Sequence, residues 1–317
     1  MLSRRQVRIK VLQALYAHHQ SDKTDISRGE NELLHSIDKF FSLFYHQLSL
    51  LFDINDMAFK HAEESKLKQL PSEEDLNPSL KFLNNLLLAS LRKNADLTRI
   101  LKSRNINWTG NQDIPRRIFR KFRSSALYKS YIQDSGNTFE HDKSIILKLL
   151  KKFIYTHRPL FDYYEDLSIH WINDYEQVTF ILIKILQSLN SETVFNYRFT
   201  DKDDNDFQED IFFAQTLYKK TINNNQAYLQ IISTYTQNWE MDRLAIMDNI
   251  IMNMAVCEFL EFPLIPVKVT LNEYIEISKI YSTPKSNIFI NGVLDKIVED
   301  FKAEKKIKKI GRGLIEK

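Results

Sequence analysis

Residues that turn a chain are scarce in this sequence, with 6 Gly and 7 Pro among 317 residues. Glycine supplies left-handed backbone geometry and proline stops helices, so a chain this poor in both has few means of reversing direction often. Long helices joined by a modest number of connections satisfy that constraint, whereas a sandwich or barrel of many short strands does not. Hydrophobic residues at 43% and charged residues at 27% describe a chain that buries a core. The expected fold class is all-α, and the length leaves one or two domains open.

Apolar spacing divides the chain into helices. Residues 2–20 read as one helix, opened by Ser3 with Gln6 three positions later as a reciprocal capping box and ending near Ser21 and Asp22. Leu33, Ile37, Phe40, Phe44, Leu48 and Leu51 recur at steps of three or four and mark a long second helix over 31–64, interrupted at 70–75. Further helices are expected at 79–103, 115–133, 141–156 and 171–190, separated by Asn, Asp, Gly and Pro signals. The acidic stretch 201–206 is the clearest internal boundary. It fails as a calcium loop, because Asp206 and Phe212 stand where such a loop needs Gly and Glu. Beyond it, helices are expected near 207–222, 225–237, 241–260, 270–281 and 286–302. Leu244, Met247, Ile251, Met254, Cys257 and Leu260 form a stripe one helical face wide, read as core. Thr270 with Glu273 reads as a second capping box, and Thr283 before Pro284 as a cap followed by a first-turn proline. The basic tail after residue 302 reads as frayed.

The net charge of +3 is too small to make the whole surface attractive to a polyanion, so any electrostatic argument rests on local clusters. A single cysteine, Cys257, excludes an internal disulfide and a multi-cysteine zinc site, fits a reducing cytoplasm and reads as a small buried apolar residue. The basic N-terminus does not read as a signal peptide, and no run of about 18 apolar residues marks a membrane span. No phosphate-cradling glycine loop, dinucleotide fingerprint or metal-binding His-Glu-x-x-His pattern occurs, and the eight histidines are scattered. The chain therefore reads as a non-enzyme, with no cofactor and no metal expected.

Two basic clusters stand out. Arg4, Arg5, Arg8 and Lys10 occupy the opening turns of the first helix, with no acidic residue before Asp22. At 100° per residue, Arg4 and Arg8 share a side with Val11 and Leu15, so the first turns are expected to project past the core. Cations at a helix N-terminus oppose the macrodipole, and like charges four apart repel, penalties that a phosphate backbone would reverse. The competing reading is a solvated basic end. The second cluster, 116–123, interleaves arginines with Phe119 and Phe122, whose spacing of three favours a buried aromatic edge flanked by solvated arginines; an accessory RNA surface is the other reading.

The run Ser3-Arg4-Arg5-Gln6-Val7-Arg8 followed by Gln13-Ala14-Leu15-Tyr16 resembles the arginine-rich opening helix of the NusB transcription antitermination family. Trp239, Arg243, Asp248, Ala255, Glu258, Pro266, Asn272, Glu273, Glu276 and Lys279, then Phe289-Ile290-Asn291-Gly292-Val293-Leu294-Asp295, are similar to that family's C-terminal half. The resemblance implies two small helical bundles, boxA-type RNA and the small-subunit ribosomal protein NusE as partners, and a cytoplasmic role in antitermination complexes of RNA polymerase on ribosomal RNA genes. Carried over by position, Arg4, Arg5, Arg8, Tyr16 and Phe289 would lie on the RNA-binding surface and Asp248 on the NusE-facing one. Tyr16 reads equally as core, Asp248 as a polar face residue, and Asn291-Gly292 as a point of close backbone packing, with Trp239, Leu294 and Ile297 as core.

The expected organisation is 1–50 as the N-terminal part of the NusB-like fold, 51–200 as a helical insert packed on the core, 201–302 as the C-terminal bundle and 303–317 as a basic flexible tail. Common members of the family have no counterpart to the insert, so the chain resembles an extended form. A protein-only helical scaffold is the alternative function. A fused RNA methyltransferase is disfavoured, because no cofactor-binding α/β domain follows.

Overall fold

The computed structural model describes residues 3–21, 25–200, 204–236 and 245–314, and no strand occurs among them. The helices, in chain order, begin with α1 (Arg4–Gln20), α2 (Ile26–Lys66), α3 (Glu73–Leu76), α4 (Leu86–Arg92), α5 (Ala95–Ser103), α6 (Asp113–Arg123), α7 (Ala126–Gln133) and α8 (Phe139–Leu149). They continue with α9 (Arg158–Leu167), α10 (Ile169–Ile172), α11 (Tyr175–Ser188), α12 (Asn205–Asn223), α13 (Asn225–Tyr235), α14 (Ile246–Glu261), α15 (Val267–Tyr281) and α16 (Pro284–Ala303). A π-helical turn, Leu150–Ile154, follows α8 directly. The chain forms two compact units, one of Met1–Ile37 with Lys202–Lys317 and one of Asp38–Asp201; the division falls inside α2. No helix among the described residues is long and apolar enough to cross a membrane.

In the first unit, α14 is central and packs against α1, α12, α13, α15 and α16. Every residue from Ile250 to Phe259 is buried, so the expected one-face stripe is corrected to a helix enclosed on all sides. Leu244 of that stripe, like Trp239 and Arg243, lies outside the described residues. Cys257 is buried, and burial pushes its thiol up to about 12, which leaves it unreactive. Leu294 and Ile297 are core as expected. Gly292 meets nothing within 4 Å of where a Cβ would stand, so it does not serve close packing.

Helix starts follow local chemistry where the cap is polar and the neighbourhood uncontested. Ser3 and Gln6 form the expected reciprocal box, and Thr283 accepts from the Ser286 amide with Pro284 in the first turn. Thr270 is a correction: α15 begins at Val267, and Thr270 is buried one turn inside it. The tail is corrected too. The Ile310 amide donates to the Pro263 carbonyl at 3.0 Å, and a Cβ on Gly313 would stand 2.0 Å from the same oxygen, so residues up to Leu314 dock against the end of α14.

The second unit breaks three expected helices, with 171–190 divided between α10 and α11. The span 79–103 is interrupted by buried Asn85 and Asn94, which cap α4 and α5 through the Leu88 and Leu97 amides. Asn94 Nδ2 also donates to the carbonyls of Val194, Phe195 and Tyr197 at 2.9–3.1 Å. Asn85 Nδ2 donates to the Asp142 carbonyl, while the buried Asp142 carboxylate accepts from the Leu86 amide and the Tyr131 hydroxyl, each at 2.6 Å. These carboxamides stop helices because a nearby amide satisfies each Oδ1 and carbonyls distant in sequence satisfy each Nδ2. Ser125 likewise divides 115–133 by capping α7.

Behind them, His46 sits 4.4 Å from the Trp108 ring, 5.5 Å from Tyr164 and 5.7 Å from Trp171. Burial pushes His46 down to about 4 from 6.5, so the unfolded chain takes up the proton first. The contribution is intact above the unfolded value and is lost as pH falls through that window. Between pH 7 and 4, urea unfolding followed by tryptophan fluorescence should show wild type losing about 3 kcal/mol relative to His46→Gln. Parallel stability curves for the two proteins would contradict the burial argument.

Candidate functional site

The site starts from α1, whose middle turns are enclosed: Val7 through Leu12 are all buried, packed by α12, α14 and α15. Arg8 is 1% exposed. Its Nε and Nη2 donate to the two oxygens of Glu258 at 2.7 and 2.6 Å. The same carboxylate accepts from the Thr270 hydroxyl at 2.8 Å and the Tyr274 hydroxyl at 3.1 Å. The guanidinium lies over the rings of Phe213 and Tyr274. Burial works against the Arg8 charge, but the hydrogen bonds and charge of Glu258 outweigh it and hold the group above its ordinary value. Lys309 closes the far side, donating to the carbonyls of Phe262 and Glu258, with burial lowering it to about 8.

The expectation of a cationic tip projecting past the core is therefore corrected. Arg8 and Lys10 are inside. Arg4 and Arg5 are on the surface, with side chains 42% and 40% exposed, and each has a carboxylate partner. Arg4 Nε lies 3.1 Å from Asp210, and its guanidinium stacks 4.8 Å above the Phe213 ring. Arg5 grips Glu273 with two bonds of 2.8 and 2.9 Å, and that hydrogen bonding raises its pKa. The acidic partners come from α12, α14 and α15, more than 200 residues away in sequence. A local reading of the N-terminus does not contain them. One signal did exist: Glu258 is a lone carboxylate between Cys257 and Phe259 in an apolar helix, and a buried charge demands a partner.

Gln13 Nε2 donates to the Tyr281 hydroxyl at 3.1 Å, so α1 and α15 run parallel, Arg5 to Glu273 and then Gln13 to Tyr281. Tyr16, one turn beyond Gln13, is 38% exposed rather than core, and Phe289 on α16 is half-buried. Asp248 is 2% exposed and accepts from the hydroxyl of Ser282, the C-cap of α15, so it ties two helices together from inside. Beside Arg4 and Arg5 runs a groove lined by Phe212, Phe213, Leu264, Val269 and Glu273, with Phe212 and Leu264 exposed. Among the described residues, no group of three His, Cys, Asp or Glu is placed to hold a metal ion.

Removing Arg8 leaves Glu258 buried and unpaired, so Arg8→Ala should destabilise the chain by about 3–5 kcal/mol. Arg4→Ala and Arg5→Ala, which break half-exposed pairs, should cost about 1 kcal/mol or less each. Urea denaturation of the three variants measures this; equal losses would show that Arg8 is no more an anchor than its neighbours.

The profile of the NusB family matches residues 175–299. Over about a hundred residues the chain is 42% identical to the transcription antitermination protein NusB of Salinibacter ruber, covering 32% of this chain and 64% of the relative. It is 39% identical to the NusB protein of Chloroherpeton thalassium, covering 33% of this chain and 49% of the relative. Against the NusB protein of Koribacter versatilis it is 36% identical, covering 32% of this chain and 71% of the relative. The chain thus spans 64% and 49% of the length of the first two relatives. No solved structure shows a significant match. The segment before residue 175 lies outside the matched residues, yet α1 from that segment packs into the same unit as α12, α14 and α15. On this sequence identity and on an all-helical architecture, the chain belongs to the NusB family.

Proposed function

We propose that this protein is a transcription antitermination factor that binds boxA-type RNA together with NusE, the small-subunit ribosomal protein, within an antitermination complex of RNA polymerase. The observation that carries the reading is the identity of 36–42% to relatives named as transcription antitermination proteins. The exposed surface of α1 suits the role: Arg4 and Arg5 would offer guanidiniums to phosphates and Tyr16 a ring face to an unpaired base, with half-buried Phe289 of α16 as the further ring of this reading. Arg8 and Asp248 then serve as positioning residues, Arg8 fixing α1 against α14 and Asp248 fixing the corner between α15 and α16 that the NusE-facing surface is built on. No catalytic step belongs to this reading.

A second reading, a protein-only scaffold, draws on the carboxylates that already occupy Arg4 and Arg5 and on the apolar groove beside them. Fluorescence anisotropy with boxA RNA, with and without purified NusE, separates the two. Arg4→Ala/Arg5→Ala should weaken RNA binding roughly tenfold and reduce the slope of log K against log salt by about 1.4, or 0.7 for each lost contact. An unchanged affinity and slope would remove RNA from this surface, and NusE binding that is indifferent to RNA would favour the scaffold.

A further inference from the structure

The cluster at 116–123 lies in the second unit, outside the residues matched to the family. On α6 it resolves into two opposed faces. Ile114, Pro115, Ile118, Phe119 and Phe122 are buried, with Phe122 edge-on to Phe82, Tyr128 and Phe153 at 5.1–5.3 Å. Arg116, Arg117, Arg120 and Lys121 are exposed, and Arg123 is half-buried. At 100° per residue these five cations occupy one sector about 160° wide. Among the described residues, the one carboxylate paired with them is Asp113, 2.6 Å from Arg117. The π turn packed beside α6 adds exposed Lys151 and Lys152.

The helix dipole accounts for part of this pattern, since Arg120, Lys121 and Arg123 lie in the last turn, where cations are favoured. It does not account for Arg116, nor for the repulsion between Arg116 and Arg120 and between Arg117 and Lys121, each pair four residues apart. The charges also reach inward: burial first, then Lys121 and Arg117, lower the imidazole of His157. Such a face carries a cost to stability, which an anion would offset.

We propose that the outer face of α6 is a second nucleic-acid contact, gripping the phosphodiester backbone without reading bases. Guanidiniums present forked donors that match phosphate oxygens. From Arg116 to Arg123 the helix rises about 10 Å, the reach of roughly three phosphates on a helical strand. Base stacking is unavailable because Phe119 and Phe122 are buried. An anionic membrane is a poor fit, since α6 has no apolar face left to insert. An acidic protein is disfavoured because α6 exposes no large apolar or aromatic anchor.

The test uses the full chain and the triple variant Arg116→Gln/Arg120→Gln/Lys121→Gln, which alters only exposed side chains, together with Asp113→Asn. Binding to single-stranded RNA and to duplex DNA of equal length is measured between 50 and 200 mM salt. For the backbone the face prefers, RNA or duplex DNA, the triple variant should lose about tenfold or more in affinity and about 2 units of salt slope, while Asp113→Asn tightens binding. Unchanged affinity and slope on both polymers would overturn the proposal, as would a loss confined to polyglutamate offered as an acidic-protein surrogate. Arg4→Ala/Arg5→Ala, run in parallel, keeps the α1 reading separate: a silent triple variant beside a weakened α1 variant sinks only the α6 contact.

Discussion

The first unit is organised by one buried ion pair. Arg8 and Glu258 meet through two short hydrogen bonds inside the packing of α1, α14 and α15, and hydroxyls of Thr270 and Tyr274 fill the remaining acceptor sites of the carboxylate. Two charges removed from water are tolerable when each polar atom is satisfied, and strongly destabilising when one is left unpaired. The pair fixes the middle of α1 against α14 with Arg8 inside, while Arg4 and Arg5 in the first turn and Tyr16 near the other end stay on the surface. The same geometry explains why Thr270, with the look of a helix cap, is instead a buried donor to Glu258.

This arrangement divides the arginines of the opening helix by role. Arg8 is structural in the sense that it has no exposed surface to offer a ligand. Arg4 and Arg5 keep about two fifths of their side-chain surface, and their carboxylate partners hold them in place while lowering the local positive charge. On the proposed function, an RNA phosphate meeting this surface would exchange with Asp210 or Glu273 rather than fill an empty cationic site. Recognition of that kind is modest in salt dependence and relies on rings for much of its specificity.

Much of the architecture was legible in the sequence because it depends on local chemistry. The scarcity of glycine and proline, the apolar spacing and the caps at Ser3 and Thr283 led to an all-helical chain with several correct helix starts. The misplaced features depend on contacts between distant segments. Asn85 and Asn94 break helices because carbonyls about 57 and 100 residues away complete their hydrogen bonding. The tail docks because Lys309 and Ile310 find the carbonyls that end α14. At the candidate site, the residue types near the N-terminus were readable, but their burial was not, since the deciding carboxylates stand over 200 positions downstream.

The proposed RNA contact sets the outer surface of α1 and Phe289 of α16 against the polymer, while Arg8 stays buried. Ultraviolet crosslinking of boxA RNA to the full chain in the presence of NusE, followed by mass spectrometry, reads that contact residue by residue. Crosslinks in the peptides bearing Tyr16 and Phe289 are the result the account requires. Efficient crosslinking that spares both peptides would contradict it.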